Sequence, residues 1–194
     1  MNPLHQLAEA NARATSHQDP NAPFGALATA SPDAIPSVRT VIVHDIGEVA
    51  IFIAVSRLHG KWHDLDTSGR FELMLWYPVL SEQYRVSGHV EIAPAEQSDA
   101  YWQTLPRAVQ LLDRTYQDFG IAPGDTLDSL DTLQDYVAQT DERYPDSVPT
   151  PEHVAGLSLV AETVEGLIAS PDRLHTRKKY WLEQGTWRES LIVP

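Results

Sequence analysis

The chain has 194 residues, 42% of them apolar and 21% charged, which suits one globular domain with a sizeable core. A net charge of −13 argues against nucleic acid as the main partner, because neutralising phosphates requires a basic face. With no cysteine, no apolar run near the ~18 residues of a membrane span and no basic-then-apolar leader, the expectation is no disulfide or thiolate chemistry, no membrane and a cytoplasmic location.

In chain order, residues 3–15 carry Leu4, Leu7, Ala8 and Ala12 at helical spacing and predict a short amphipathic helix, followed by a loop over 16–23. A first strand block then runs over 24–93, with strands expected at 25–30, 38–46, 49–55, 71–77 and 83–92. Gly47-Glu48 separates the second strand from the third, and a short helix over 61–67 separates the third from the fourth. Gly88, inside an otherwise regular strand, predicts a bulge or a sharp bend. After Pro94 the period changes, and a helical insertion is expected over 94–147 with helices at 95–105, 107–119 and 126–143. Residues 145–151 read as a loop, and strands return over 156–194, at 156–163, 166–169, 174–182 and 187–193.

Antiparallel strands with helices inserted as a block give an α+β barrel, taken here as a single domain over 1–194, and not a doubly wound sheet. Neither GxGxxG nor GxxxxGK[ST] occurs, so a nucleotide-like ligand must be held by other means. The chain has only 14 Lys and Arg, and several gather at 57–61 and 173–179, a pattern suited to a small anionic ligand gripped by a few cations. His59 and His63 stand four apart beside Asp64, but a third metal ligand is not visible in the sequence, and no metal is expected.

Several motifs carry a family resemblance. Pro36-Ser37-Val38-Arg39 followed by Thr40, Val41 and Ile42 resembles the Pro-x-x-Arg strand of the pyridoxamine 5'-phosphate oxidase family. The run from Ser56 and Arg57 to Lys61 is similar to its phosphate clamp, Trp76 with Gln83 to its W…RQ strand, and Gly88 with Glu91 to its G-x-x-E. Tyr101 with Pro106-Arg107, the Arg173-Leu174-His175-Thr176-Arg177 run, and Trp187 with Pro194 complete the series over residues 24–194.

The resemblance implies a mostly antiparallel split β-barrel with peripheral helices, forming a homodimer with FMN at the subunit interface. It implies that Arg39, Lys61 and Arg177 meet the FMN phosphate, helped by Ser56 and Arg57, and that Thr40, Val41 and Ile42 lie along the ring with the Gln83 amide near it. A dianionic phosphate favours such a set of guanidinium and ammonium groups. Tyr101, Arg173 and His175 would face a small-molecule substrate.

Departures from the family pattern fall mainly on the substrate side. His44 stands where the family has Lys, and Leu105 and Val109 where an Arg and a Ser grip the substrate phosphate. Leu167 replaces an aromatic residue, Val154-Ala155-Gly156 replaces W-G-G, and Ile53-Ala54 replaces a Tyr-Thr pair. Losing one charged hydrogen-bonding partner costs about 1.5–3 kcal/mol, so two such losses would abolish tight binding of a vitamin B6 phosphate. The expected function is therefore an FMN-dependent oxidoreductase of another substrate. The alternatives are a non-catalytic flavin carrier or sensor, or a split barrel binding haem or deazaflavin.

Overall fold

The structure, a computed structural model, describes residues 2–58 and 60–194, with the side chains of residues 60 and 61 also outside the description. Its elements are α1 (Pro3–Ser16), β1 (Phe24–Ala30), β2 (Pro36–Ile42), β3 (Asp45–Ile46), β4 (Ala50–Ser56), α2 (Gly60–Ser68), β5 (Arg70–Tyr77) and β6 (Glu82–Ile92). There follow α3 (Ala95–Thr104), α4 (Arg107–Phe119), α5 (Leu130–Arg143), β7 (Val154–Ile168), β8 (Thr176–Glu183) and β9 (Thr186–Ile192). The residues fall into two compact units, one of 1–53, 63–92 and 157–194, the other of 54–62 and 93–156.

The first unit is built on an antiparallel half-barrel sheet, the α+β split-barrel architecture, in which β2-β1-β5-β6-β7-β4-β3 are neighbours in that order and β8 and β9 continue from β7. Strands β1 and β5 alternate a buried side chain with an outward one, whereas β4 buries Ile51, Phe52 and Ile53 in succession. Register lines Leu27, Leu73, Val86, Val164 and Tyr180 across β1, β5, β6, β7 and β8 in one row, every one of them buried. Burying each such side chain stabilises the fold by about 1.5–3 kcal/mol.

Helix α1 starts on Asn2, whose side chain accepts a hydrogen bond from the Leu4 N–H at 3.0 Å, with proline in the first turn. Its apolar stripe, Leu4, Leu7, Ala10 and Ala14, is fully buried.

Two features of the sheet depend on local chemistry. The expected strand over 38–46 is divided: β2 ends at Ile42, and β3 pairs instead with β4. At the corner the Val43 N–H turns to the Pro23 carbonyl (2.9 Å) and the His44 N–H to that of Phe52 (3.0 Å). The bend expected at Gly88 is a bulge, where the register against β7 slips between Ser87 and Gly88. A Cβ at this glycine would lie 1.9 Å from the Val160 carbonyl oxygen, so only glycine lets the strands approach here.

The second unit packs α3, α4 and α5 around Trp102, Leu111 and Val148, with the Trp102 indole N–H donating to the Val148 carbonyl at 2.8 Å. Thr115 on α4 donates to Thr140 on α5 at 3.0 Å, both side chains buried. Helix α4 has the bounds its sequence predicts, between Pro106 and a left-handed Gly120 (φ 62°). Helix α5 begins later than expected. Ser129 caps it by accepting from the Thr132 N–H, so residues 126–128 precede the helix although Leu127 fits its apolar period.

Candidate functional site

Alternation along β2 sends consecutive motif residues to opposite faces of the sheet. Arg39 and Val41 point with the core row, Arg39 pairing with Leu27, whereas Thr40 and Ile42 point to the open face. On that open face the register forms two cross-strand rows. Trp76, Gln83, Leu167 and Arg177 stand side by side on β5, β6, β7 and β8. Thr40, Ala26, Met74, Arg85, Glu165 and Lys179 form the other row. Four expected site residues, Thr40, Ile42, Gln83 and Arg177, thus share one surface.

The open face has an apolar and a charged end. An open cleft of about 360 Å³ is lined by Phe24, Ala26, Thr40, Met74 and Trp76, among others. A second, polar cleft of about 170 Å³ is lined by Glu72, Arg85, Ser87, Thr163, Glu165 and Lys179. Arg177 donates to Glu165 at 2.6 Å, and Arg85 and Lys179 approach the same carboxylate at 3.6 and 3.9 Å. Burial alone would raise the Glu165 carboxyl, but the Arg177 hydrogen bond and the charges of Arg177, Arg85 and Lys179 together hold it below the usual carboxylate range.

Arg39 lies in a half-buried polar nest of its own. Its guanidinium donates to the Thr29 hydroxyl (2.7 Å), the Ser37 hydroxyl (2.6 Å) and the Leu27 carbonyl (3.3 Å). Asp64 lies 3.7 Å away and also accepts from Thr29. Burial lowers the guanidinium pKa and the Asp64 charge opposes that shift.

Arg173 and His175 belong to the turn joining β7 to β8. Arg173 is exposed and left-handed (φ 68°). The Ser170 N–H donates to His175 Nδ1 at 2.9 Å, which in the neutral ring puts the proton on Nε2. His44, beside Phe52 with ring centroids 6.0 Å apart, has its imidazole pKa lowered by burial.

Ser56, Arg57 and Tyr101 belong to the second unit. The Ser56 hydroxyl accepts from the Leu58 N–H at 3.2 Å, and the Arg57 guanidinium lies over the Trp62 ring, 4.9 Å from its centroid. Tyr101 lines an open cleft of about 180 Å³ with Ser56, Leu105, Val109 and Asp113. Burial, with Asp113 nearby, pushes the Tyr101 phenol up to about 12. The Lys61 side chain and His59 lie outside the described residues. Among the described residues no three His, Cys, Asp or Glu side chains group as metal ligands, and no helix is long and apolar enough to cross a membrane.

Glu165 and Asp113 are polar residues that the sequence reading missed. Alternation along β7, with Val164 buried, marks Glu165 as outward-facing, and a spacing of four from Val109 puts Asp113 on the same side of α4.

Residues 14–156 match the profile described as pyridoxamine 5'-phosphate oxidase. The pyridoxine/pyridoxamine 5'-phosphate oxidase of Anaeromyxobacter dehalogenans (strain 2CP-C) is 30% identical over 194 residues, spanning 99% of this chain and 95% of that protein. The protein of the same name from Myxococcus xanthus (strain DK1622) is 29% identical and spans 99% and 91%. Among solved structures, PhzG from Burkholderia lata 383, in complex with tetrahydrophenazine-1-carboxylic acid, superposes with a TM-score of 0.90 at 21% identity, covering 100% of this chain and 93% of that one. A pyridoxamine 5'-phosphate oxidase-related, FMN binding protein from Nostoc punctiforme PCC 73102 gives 0.75 at 21% identity, covering 96% of each chain. With the profile matched over most of its length, the chain belongs to the pyridoxamine 5'-phosphate oxidase family.

Proposed function

We propose that the protein is an FMN-dependent oxidoreductase whose substrate is not a vitamin B6 phosphate. The observation that carries this reading is the cross-strand row of Trp76, Gln83, Leu167 and Arg177 beside the apolar cleft of the open face. The donor set fits the cofactor. An aromatic and aliphatic surface suits the ring plate, the Gln83 amide suits its polar edge, and, because Arg39 and Arg177 point to opposite faces of the sheet within one chain, guanidinium for the phosphate would come from Arg39 of one subunit and Arg177 of the other. The Nostoc relative is described as FMN binding.

Arg39 is already oriented by Thr29 and Ser37, so it would meet the phosphate with little loss of side-chain freedom. Arg177 would exchange part of its Glu165 bond for the ligand, while Lys61, Ser56 and Arg57 would complete the phosphate grip. Thr40, Val41 and Ile42 would lie along the ring through the backbone of β2, an edge strand of the sheet. Bound flavin would accept two electrons and a proton from substrate. Tyr101, Arg173 and His175 are the candidates to position that substrate. Leu105 and Val109, placed together in the Tyr101 cleft, offer no charge to a substrate phosphate. PhzG, with a TM-score of 0.90, is described with a non-phosphorylated ring compound.

The reading includes a homodimer with FMN between the subunits. Val38 and Ile42, 67% and 48% exposed on the open face of β2, give that face the apolar character a second copy would cover.

Purified protein, denatured and chromatographed, should release FMN identified by absorbance and retention. Arg39→Ala should lower FMN occupancy at least ten-fold in titration of the stripped protein. A preparation that stays colourless after incubation with FMN would overturn the proposal.

A further inference from the structure

The charged part of the open face is organised around one carboxylate. Register sets Glu165 opposite Arg85 on β6 and Lys179 on β8, and it sets Arg177 opposite Leu167. Arg177 therefore reaches diagonally along the sheet to donate to Glu165 Oε2 at 2.6 Å, as cross-strand neighbours two residues apart can. Both side chains are largely covered, 28% and 19% exposed, so the guanidinium is held against the sheet. Arg85 and Lys179 lie 3.6 and 3.9 Å from the same carboxylate, and Arg85 also donates to Glu72. Within the cluster of Glu72, Arg85, Glu165, Arg177 and Lys179, two carboxylates thus face three cations, which leaves positive charge in excess. Among the described residues Arg177 makes one side-chain hydrogen bond, and its other N–H groups remain to meet an anion.

We infer that Glu165 is a positioning residue of the flavin site, which orients the Arg177 guanidinium for the cofactor phosphate while Arg85 and Lys179 offset the charge it would otherwise set against that phosphate. Shared between carboxylate and phosphate, the guanidinium keeps one orientation and loses little freedom when the ligand arrives. Without the two further cations, a carboxylate so close to a phosphate would repel it by more than the orientation gains. The inference rests on the FMN reading and adds to it a residue that acts on the cofactor only through Arg177.

Glu165→Gln and Glu165→Leu remove the same charge, but only the glutamine amide oxygen can still accept from Arg177, so comparing them separates orientation from charge. Binding of FMN, and of riboflavin, which has the same ring and no phosphate, is read from flavin fluorescence during titration of the stripped, intact protein. Glu165→Gln should bind FMN about ten-fold more tightly than Glu165→Leu, and the two should bind riboflavin within about two-fold of each other. In an Arg177→Gln background the difference in FMN affinity should vanish, because the effect passes through that guanidinium. Should Glu165→Leu lose riboflavin as a misfolded protein would, Glu165→Ala takes its place in the comparison. Equal FMN affinity in the two variants, or a difference that persists without Arg177, would overturn the inference and leave the flavin reading standing. Failure of the unsubstituted protein to bind FMN would remove both.

Discussion

Gly88 is the residue with the least tolerance. A Cβ added there would meet backbone, the Val160 carbonyl at 1.9 Å, and backbone cannot rotate away as a side chain can. Gly88→Ala should therefore destabilise by about 3 kcal/mol, seen as a lower urea midpoint at unchanged slope. Glu165 sets an acid limit. Its folded pKa is depressed, so the unfolded chain binds the extra proton in acid, and its contribution is present above ~4.3, the unfolded value, and lost as pH falls through the lower folded value. Stability measured from pH 6 down to 3 should fall less steeply in Glu165→Gln than in the parent, and an unchanged slope would contradict the Arg177 pairing. The site was only partly legible at this scale. The motif reads 39–42 as one patch, but the period of the strand divides it, Arg39 and Val41 inward and Thr40 and Ile42 outward. Asp113 carries no motif, and only the helix spacing places it beside Val109.

At the scale of elements, boundaries were readable where the chain carries its own stop signals. Pro106 and Gly120 delimit α4 in the sequence and in the structure alike. The corner between β2 and β3 has no such signal: residues 38–46 are β-prone throughout, and the division comes from the distant carbonyls of Pro23 and Phe52. Likewise Leu127 fits the α5 stripe, yet the Ser129 cap starts the helix after it. The helical unit depends on Trp102, which is 0% exposed and bonded to the Val148 carbonyl. Trp102→Ala should cost about 3–5 kcal/mol, from the cavity and the stranded carbonyl, measured by chemical denaturation followed by the far-ultraviolet helical signal.

For the whole molecule, charge and association are the governing quantities. Residues 93–156 carry 12 of the 27 acidic side chains and 3 of the 14 basic ones, so repulsion is concentrated in the helical part of the sequence. Raising salt from 0.01 to 0.15 M shortens the screening length from about 30 to 8 Å, and the melting temperature should rise by a few degrees over that range. On the proposed association through the open face, Val38→Asp should shift the light-scattering mass from about twice the 21.6 kDa chain towards the monomer. The fold class could be read from the order of strand and helix blocks, because that order survives errors at individual boundaries. Association is expected from the sequence only through the family resemblance, since the surface that would carry it depends on which outward positions are apolar, and that follows from register.

The bulge opposite Gly88 also governs how β7 can change in length. A strand counts in twos, yet the inward residues of β7 pass from odd numbers (Leu157, Leu159, Ala161) to an even one (Val164), and the parity changes across the 162–163 pair. A chain shortened by Glu162 would keep both inward sets on the same side and lose only the kink. A chain lengthened by one residue at that point would also make the spacing even and keep both inward sets on one side, but it would have to widen the bulge to two residues or slide the pairing of Leu157, Leu159 and Ala161 with β6 by two. Loss straightens the strand; gain keeps its faces but displaces its partners by two residues.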